Sequence, residues 1–345
     1  MAILYVESWG EAGGKTALCA GIANYWQNKG KRVGYLKPIV IDGRDGDAQF
    51  IKQALGLEEP VEALHLLRLT RPELWTEVKK GSLGAKVKEA CSRVAGGKDI
   101  VLLEGFGALS TDTVLAEASS QIIEALNARL VITLSYSDDL PWDRIASFSK
   151  KLPRLLGVVV NRVPRRKVES VRTEMTPFFA KEDIKVLGVL PEEPLLLGIS
   201  LAELAEKLEA TVLCCPEALG ELVEKVMLGA LSVDSGLDYF SRKANKVVIT
   251  RSERPDIQLA ALATSTKGII LSGDTSPIPQ VLHWAEDKGV PILITKQDTF
   301  SIVAKVEEAF LQARFHHQKK LNKLTEILDQ HFDFERLSEQ LAKRE

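Results

Sequence analysis

The chain has 345 residues, of which 45% are hydrophobic and 27% are charged, and its formal net charge is -2 at pH 7. This length suits two domains, and the composition is that of an ordinary soluble globular protein. A charge so close to neutral argues against a nucleic-acid partner, because nucleic-acid-binding domains carry a basic surface. The cysteines show no Cys-x-x-Cys spacing, which favours a reducing compartment.

The N-terminus shows no targeting signal. Its apolar run, residues 2–6, is shorter than the roughly 7–15 residues of a signal-peptide core and has no basic segment before it. No uncharged stretch approaches the roughly 20 residues of a membrane helix, since even LLGVVVNRV contains Asn161 and Arg162. We therefore expect a cytoplasmic protein with no membrane partner.

The first two hundred residues alternate short apolar runs with longer amphipathic stretches. The apolar runs read as strands: AILYV, RVGYLKP, DIVLLEG, LVITLS, LLGVVVNRV and IKVLGVLP. The intervening stretches predict helices, for example over 16–29, 71–95 and 139–151. Strands that are apolar throughout suit a parallel sheet covered on both faces. The pattern predicts a doubly wound α/β domain with a mostly parallel sheet.

A second, smaller α/β unit is predicted after a boundary near Cys214-Cys215-Pro216. The predicted helices are 217–229, 256–264, 277–288 and 299–312, and the strands between them are KVVIT, KGIILSG and VPILITK. From Arg314 onward the chain reads as one or two amphipathic helices. The expected domains are 1–214, 215–313 and a helical tail over 314–345.

Residues 7–23, ESWGEAGGKTALCAGIA, contain a candidate phosphate-binding loop between the first strand and the first helix. Backbone N–H groups of such a loop can hold phosphate oxygens, with Lys15 reaching the β- and γ-phosphates and the Thr16 hydroxyl holding Mg²⁺. The usual spacing puts Trp9 at the opening glycine, with Gly10 one place late. The competing interpretation is a glycine-rich turn. The predicted nucleotide-binding residues here are Gly10, Glu11, Ala12, Gly13, Gly14, Lys15, Thr16 and Ala17.

This loop and the segments after it resemble the dethiobiotin synthetase-like P-loop proteins, and most closely the N-terminal domain of long bacterial phosphate acetyltransferases. In that subfamily the loop reads Thr-Gly-x-x-x-Gly, so its glycine is also late. YLKPI resembles the family's Lys-Pro, which implies that Lys37 approaches substrate and phosphates. With Lys15 it forms the predicted catalytic pair.

The same resemblance implies a site for ATP with Mg²⁺. Asp47 in DGDAQFIKQALGL and Glu104 in VLLEG match the family's metal carboxylates, and Thr16 completes the predicted metal ligands. Independently, a carboxylate at the C-terminal end of a strand beside a phosphate loop is well placed for a hard cation. Either residue could instead be a helix cap or a solvated loop charge.

Two strand ends further along the chain are candidates for recognition of the base. Asn161 and Arg162 follow one buried strand, and Pro191 and Glu192 follow the next. The resembled family uses matching positions around adenine. The competing interpretation is an ordinary strand-end turn, which Asn and Pro favour for backbone reasons.

Residues from about 216 to 312 resemble the DRTGG domain, which is commonly regulatory. The signature departs from the family, because Arg251-Ser252-Glu253-Arg254 stands where Gly-Gly-Asp-Arg is usual. Arg251, Arg254 and Asp256 could bind an anionic small effector, although a plain basic turn explains them equally well.

Three functions remain open at this point. One is a regulatory ATP-binding protein that either only binds ATP or also hydrolyses it slowly, and that responds to a small-molecule effector or a partner enzyme. Another is an ATP-dependent carboxylate-amine ligase of dethiobiotin synthetase type, and a third is a nucleotide-free scaffold. The resemblance stops before an acetyltransferase domain, so we expect no phosphate acetyltransferase activity. A homodimer is expected from the family.

Overall fold

The computed structural model describes residues 1–10, 13–41, 46–107, 109, 112–229 and 236–342. Contacts within the chain divide it into two units. The first unit contains Met1–Glu192 and the residues from Phe315 onward, and the second contains Glu193–Arg314.

The strands and helices of the described residues are numbered in chain order. The strands are β1 (Ala2–Ser8), β2 (Val33–Ile41), β3 (His65–Leu69), β4 (Ile100–Glu104), β5 (Arg129–Ser135), β6 (Leu155–Val163), β7 (Val186–Pro191), β8 (Ile199–Ser200), β9 (Thr211–Cys214), β10 (Leu222–Val223), β11 (Lys225–Leu228), β12 (Lys246–Arg251), β13 (Thr266–Ser272) and β14 (Ile292–Thr295). The helices are α1 (Lys15–Asn28), α2 (Asp47–Leu55), α3 (Arg71–Lys80), α4 (Leu83–Val94), α5 (Thr113–Leu126), α6 (Trp142–Ser149), α7 (Val168–Lys181), α8 (Pro194–Leu197), α9 (Leu201–Leu208), α10 (Gly236–Ser241), α11 (Pro255–Leu262), α12 (Pro279–Lys288), α13 (Thr299–Leu311), α14 (Gln318–His331) and α15 (Phe334–Ala342). Within the described ranges, no helix combines the length and apolar character that crossing a membrane requires.

The first unit is built on a seven-stranded sheet of order β3-β2-β4-β1-β5-β6-β7, in which the paired strands are parallel. The order reverses around β1, as in doubly wound sheets. This confirms the predicted fold class. The edge strand β3 was not predicted, because its half-exposed sequence HLLRL is a weak strand signal.

The second unit has a five-stranded sheet of order β11-β12-β13-β14-β9, with β9 antiparallel to β14 and the other pairs parallel. Its two faces are covered by separate apolar cores. Residues of α10, α11 and α12 pack on one face, and residues of α9 and α13 pack on the other. The connections after β13 and β14 therefore leave the sheet toward opposite faces.

Two predicted helices are wrong. The stretch 71–95 forms two helices instead of one, because Gly81 adopts a left-handed conformation (φ 65°) that ends α3. The stretch 217–229 is a short 3-10 turn followed by β10 and β11. Its apolar residues do recur at helical spacing, but the pairing of β11 with the edge of β12 decides its structure.

The division into units also differs from the predicted boundaries at 214 and 313. Residues 193–214 belong to the second unit, because β9 pairs with β14 and α9 packs in that unit's core. The C-terminal helices belong to the first unit. Tyr25 of α1 stacks on Phe334 with ring centroids 3.5 Å apart, and a Cβ at Gly21 would lie 2.4 Å from Leu328 of α14.

Candidate nucleotide-binding site

The candidate phosphate loop lies at the C-terminal edge of the first sheet, where β1 lies between β4 and β5. In parallel α/β sheets this reversal of strand order opens a crevice in which ligands bind. The hydroxyl of Thr133, on β5, donates to the Gly13 carbonyl oxygen at 2.8 Å. The loop therefore lies directly over the ends of the central strands.

The glycines of the loop differ in what their positions require. Gly14 has φ 83°, and a Cβ there would lie 2.4 Å from Asn161 Nδ2, so both conformation and space favour glycine. At Gly13 a Cβ would lie 2.5 Å from Ser8 Cβ. At Gly10 a Cβ would meet no atom of the described residues within 4 Å. The late glycine is therefore not required by packing.

Trp9 explains why the usual opening glycine is absent. Its side chain is buried, and its ring meets Phe148 of α6 edge-on, with centroids 5.2 Å apart. The position thus contributes to the hydrophobic core of the first unit, which a glycine could not do.

Lys15, at the start of α1, lies between the phosphate loop and the loop that follows β4. Its Nζ donates to Ser8 Oγ at 3.1 Å, and Ser8 Oγ in turn donates to the Gly10 carbonyl at 2.6 Å. Gly107 has φ 88°, and a Cβ there would lie 2.7 Å from Lys15 Nζ. The two loops therefore enclose the ammonium group that would meet the phosphates.

Glu7, a residue that sequence reasoning missed, fixes the position of the loop after β4. Its buried carboxylate accepts from the backbone N–H groups of Phe106 (3.1 Å) and Gly107 (2.6 Å), and from the hydroxyls of Ser119 (2.9 Å) and Tyr5 (3.3 Å). A buried carboxylate requires several such partners. The available signal was a single charged residue at the end of the apolar run AILYVES.

Four predicted residues converge beside the phosphate loop. Glu104, only 2% exposed, accepts from the Thr16 hydroxyl at 2.7 Å and lies 3.3 Å from Lys37 Nζ. Lys37 also forms an ion pair with Asp47. Tyr35, which was not predicted, donates to the second oxygen of Glu104 at 2.8 Å.

The two carboxylates of this cluster have opposite pKa shifts. Burial raises the pKa of Glu104, although the positive charge of Lys37 opposes the shift. Burial would also raise the pKa of Asp47, but its hydrogen bond with His316 and the charge of Lys37 outweigh burial and lower it. Asp47 therefore remains ionised at neutral pH.

The donor set of this cluster fits Mg²⁺. Thr16, Asp47 and Glu104 offer oxygen ligands, which a hard cation prefers. Both carboxylates already contact a positive charge, the Lys37 ammonium. Among the residues that the structure describes, no group of three or more His, Cys, Asp or Glu could hold a metal alone. Water and nucleotide phosphates would have to complete the coordination.

The predicted base-recognition residues lie at the ends of the adjacent strands β6 and β7. Asn161 Nδ2 donates to the Gly13 carbonyl at 3.4 Å, so this amide lies against the phosphate loop. Arg162 is exposed and has φ 61°, and the Glu192 N–H donates to the Val163 carbonyl at 2.7 Å. Ala17 lies in the first turn of α1, whereas Glu11 and Ala12 lie outside the described residues.

The predicted effector residues lie at the end of β12 and the start of α11. Arg254 and Asp256 bond to each other, with Nε–Oδ1 at 2.9 Å and Nη2–Oδ2 at 2.7 Å. Arg251 is exposed at the end of β12. The charge of Arg254 is thus already matched by a neighbouring carboxylate.

A separate cavity of about 420 Å³ lies in the second unit, at the C-terminal ends of β13 and β14. It is lined on one side by Gly273, Asp274 and Ser276, and on the other by Thr295 and Gln297. Because the connections after these strands diverge, the cavity occupies the position where α/β sheets commonly bind ligands.

Comparisons with known families decide the classification of the chain. Residues 3–200 match the AAA domain family, and residues 203–309 match the DRTGG domain. The chain belongs to this AAA domain family. Its AAA domain is followed by a DRTGG domain.

Curated relatives of the chain are phosphate acetyltransferases. The protein of Pseudomonas aeruginosa is 23% identical over 377 residues, an alignment that covers 98% of this chain and 52% of the relative. The chain spans about half the length of the curated relatives it matches. The predicted resemblance to the N-terminal region of these enzymes is confirmed.

Two solved structures are similar to separate parts of the chain. MinD cell division protein from Aquifex aeolicus is 19% identical, covers 57% of this chain and 84% of its own, and has a TM-score of 0.36. The CBS and DRTGG domains of the regulatory region of Clostridium perfringens pyrophosphatase, complexed with the activator diadenosine tetraphosphate, are 17% identical. They cover 39% of this chain and 67% of their own, with a TM-score of 0.28.

Proposed function

We propose that the chain is a regulatory protein that binds ATP with Mg²⁺ in its AAA domain and senses a small effector through its DRTGG domain. The observation that carries this proposal is the convergence of Thr16, Lys37, Asp47 and Glu104 beside the phosphate loop. A Gly-rich turn that merely closed β1 onto α1 would need no such cluster of largely shielded polar and charged groups.

Each residue of the proposed site has a separate task. Lys15 and the backbone N–H groups from Gly13 to Thr16 would bind the phosphates at the N-terminus of α1, where the helix dipole also favours negative charge. Thr16, Asp47 and Glu104 would hold Mg²⁺, which when bound neutralises phosphate charge. Asn161 would lie near the base while bracing the Gly13 carbonyl.

The cavity at the ends of β13 and β14 supports the effector-sensing part of the proposal. We place the effector in this cavity, with Arg251, Arg254 and Asp256 of the neighbouring strand end as an alternative location. Adenine nucleotides are the first compounds to test.

A ligase function is the second candidate, and the position of Lys37 favours it. An ammonium group held between two carboxylates beside the phosphate loop could bind a carboxylate or carbamate substrate as it accepts a phosphoryl group. In that case an amine or carboxylate substrate should stimulate ATP turnover, and Lys37→Ala should abolish the stimulation while ATP binding remains.

Calorimetry with ATP and Mg²⁺ tests the nucleotide site. Lys15→Ala should weaken binding by roughly 1.5–3 kcal/mol, the value of a lost charge-assisted hydrogen bond. Lys29→Ala, an exposed lysine just beyond the other end of α1, is the matched control and should bind like wild type. Equal affinity in wild type and Lys15→Ala would reject the site.

A further inference from the structure

His316 reaches the proposed metal site from a part of the chain that the phosphate-loop motifs do not include. Its Nε2 donates to Asp47 Oδ1 at 2.6 Å, across 269 positions of sequence. Both side chains are largely shielded from solvent, with exposed fractions of 22% and 21%. This hydrogen bond is therefore better protected than an ordinary surface contact.

Aromatic contacts fix the orientation of the His316 ring. It stacks on Phe50 of α2, with centroids 5.2 Å apart and planes at 22°, and Phe315 meets the Phe50 ring edge-on at 5.8 Å. Phe50 lies one turn after Asp47 on the same helix. The next residue, His317, caps α14 by accepting from the Lys319 N–H at 3.1 Å. The ring and the backbone on both sides of it are thus held in place.

A continuous series of polar contacts leads from His316 to the phosphate loop. The second oxygen of Asp47 pairs with Lys37, Lys37 lies 3.3 Å from Glu104, and Glu104 accepts from Thr16. Lys37 attracts the Asp47 carboxylate toward Glu104, whereas His316 holds its other oxygen. Lys37 and His316 therefore both help to set the direction of the Asp47 carboxylate.

We propose that His316 is a positioning residue that holds Asp47 in the orientation needed for Mg²⁺-nucleotide. This inference rests on the function proposed above. Hydrogen-bond partners of metal-binding carboxylates commonly affect metal affinity in this way.

Substitutions at His316 separate its hydrogen bond from its packing. His316→Leu removes the donor, whereas His316→Gln lacks the ring but retains an N–H that can reach Asp47. We expect His316→Leu to weaken binding of a non-hydrolysable ATP analogue by roughly 10-fold to 100-fold in excess Mg²⁺, and to leave binding in EDTA unchanged. His316→Gln should recover most of the affinity. The control is His283→Gln, an exposed histidine of α12.

A second measurement reports the role of the His316–Asp47 contact without relying on affinity. Because linkage is reciprocal, a contact that favours Mg²⁺-nucleotide must itself be favoured by Mg²⁺-nucleotide. Binding should therefore slow hydrogen exchange at the first amides of α14, including Lys319, in wild type but not in His316→Leu. Thermal unfolding of each variant would establish that it is folded.

The outcomes distinguish this inference from the proposed function. If wild type shows no Mg²⁺-dependent nucleotide binding, the proposed function fails and the inference fails with it. If wild type binds but His316→Leu has an unchanged ratio of affinities with and without Mg²⁺, only the positioning role is rejected. An equal deficit in His316→Gln and His316→Leu would also reject it, because the donor would not be the relevant group.

Discussion

The two sheets carry different kinds of charge at the C-terminal ends of their parallel strands. In the first unit, Lys37 and Glu104 are 15% and 2% exposed and connect β2 to β4. In the second unit, Arg254 and Asp256 are 35% and 29% exposed and are two residues apart in sequence. Buried charges that join distant segments fix a geometry before any ligand arrives, whereas a local exposed pair leaves its surroundings free to adjust.

This contrast suggests that the two edges serve different functions. A nucleotide site benefits from preorganised groups, because the cost of ordering them is met during folding. An effector site must respond to occupancy, and a more open edge beside the cavity at β13 and β14 suits that task. The predictions below test whether the two edges differ in energy as they do in construction.

The largest expected effect compares two cation removals. Lys37→Met leaves the buried Glu104 without its cation and should lower the free energy of unfolding by roughly 3 kcal/mol, as expected for a broken buried pair. Arg254→Met removes a half-exposed partner and should cost less than about 1 kcal/mol. Urea unfolding at pH 7 measures both. Equal losses would mean that the edges are not energetically distinct.

Glu7 should be the next most sensitive position. In Glu7→Gln the amide N–H₂ would face donors that now bond to a carboxylate oxygen, so we expect a loss of about 2 kcal/mol, within the range for hydrogen bonds to charged groups. Tryptophan fluorescence can follow the first unit, which contains Trp9, Trp26, Trp75 and Trp142. Glu89→Gln, on the exposed side of α4, is the control and should unfold like wild type.

We expect substitutions at the phosphate-loop glycines to change the free energy of unfolding by smaller amounts. Gly14→Ala should cost about 1–2 kcal/mol because of its left-handed φ, and further strain should come from contact with Asn161. Gly10→Ala should change stability by no more than about 0.5 kcal/mol, because a Cβ there would meet none of the described atoms. Unfolding of Gly14→Ala and Gly10→Ala would measure the cost at each glycine. Unfolding of the Gly14→Ala/Asn161→Ala double mutant would measure how much of the Gly14→Ala cost comes from contact with Asn161. An equal cost at both glycines would contradict the loop geometry described above.

The smallest expected effect concerns pH and the C-terminal helices. Burial and the nearby Arg172 lower the pKa of His331, so the folded state binds a proton there less readily than the unfolded state does. Its contribution is therefore present above the ordinary pKa of about 6.5 and is lost as pH falls through the folded pKa. We expect His331→Gln to flatten the decline in stability from about pH 7 to about pH 5 by a few tenths of a kcal/mol. The exposed His283→Gln should retain the wild-type slope.

Much of the first unit could be predicted because its signals are local. An apolar run followed by Gly-Gly-Lys-Thr specifies a strand, a turn and a helix within about twenty residues. Glu104 ends one predicted strand and Asp47 follows another, and the parallel sheet brings such strand ends to one edge. Whether these residues bind nucleotide and Mg²⁺ stays a prediction that the experiments above address.

The failures have a common physical origin in contacts between distant segments. The stretch 217–229 has helical periodicity but forms strands, because pairing with β8 and β12 satisfies its backbone groups instead. In the sequence, Glu7 is only a charged residue at the end of a strand. In the structure, the backbone N–H groups of Phe106 and Gly107 donate to its carboxylate.

The amino-acid sequence by itself determined the fold class, the strand-loop-helix at Lys15 and Thr16, and the presence of a second α/β unit, because short-range periodicity and turn chemistry encode these features. Tertiary structure alone decided that β9 joins the second sheet and that the last helices return to the first unit. It also decided that His316 meets Asp47. Such contacts depend on which surfaces bury one another, and the residue spacing within one segment does not encode that pairing.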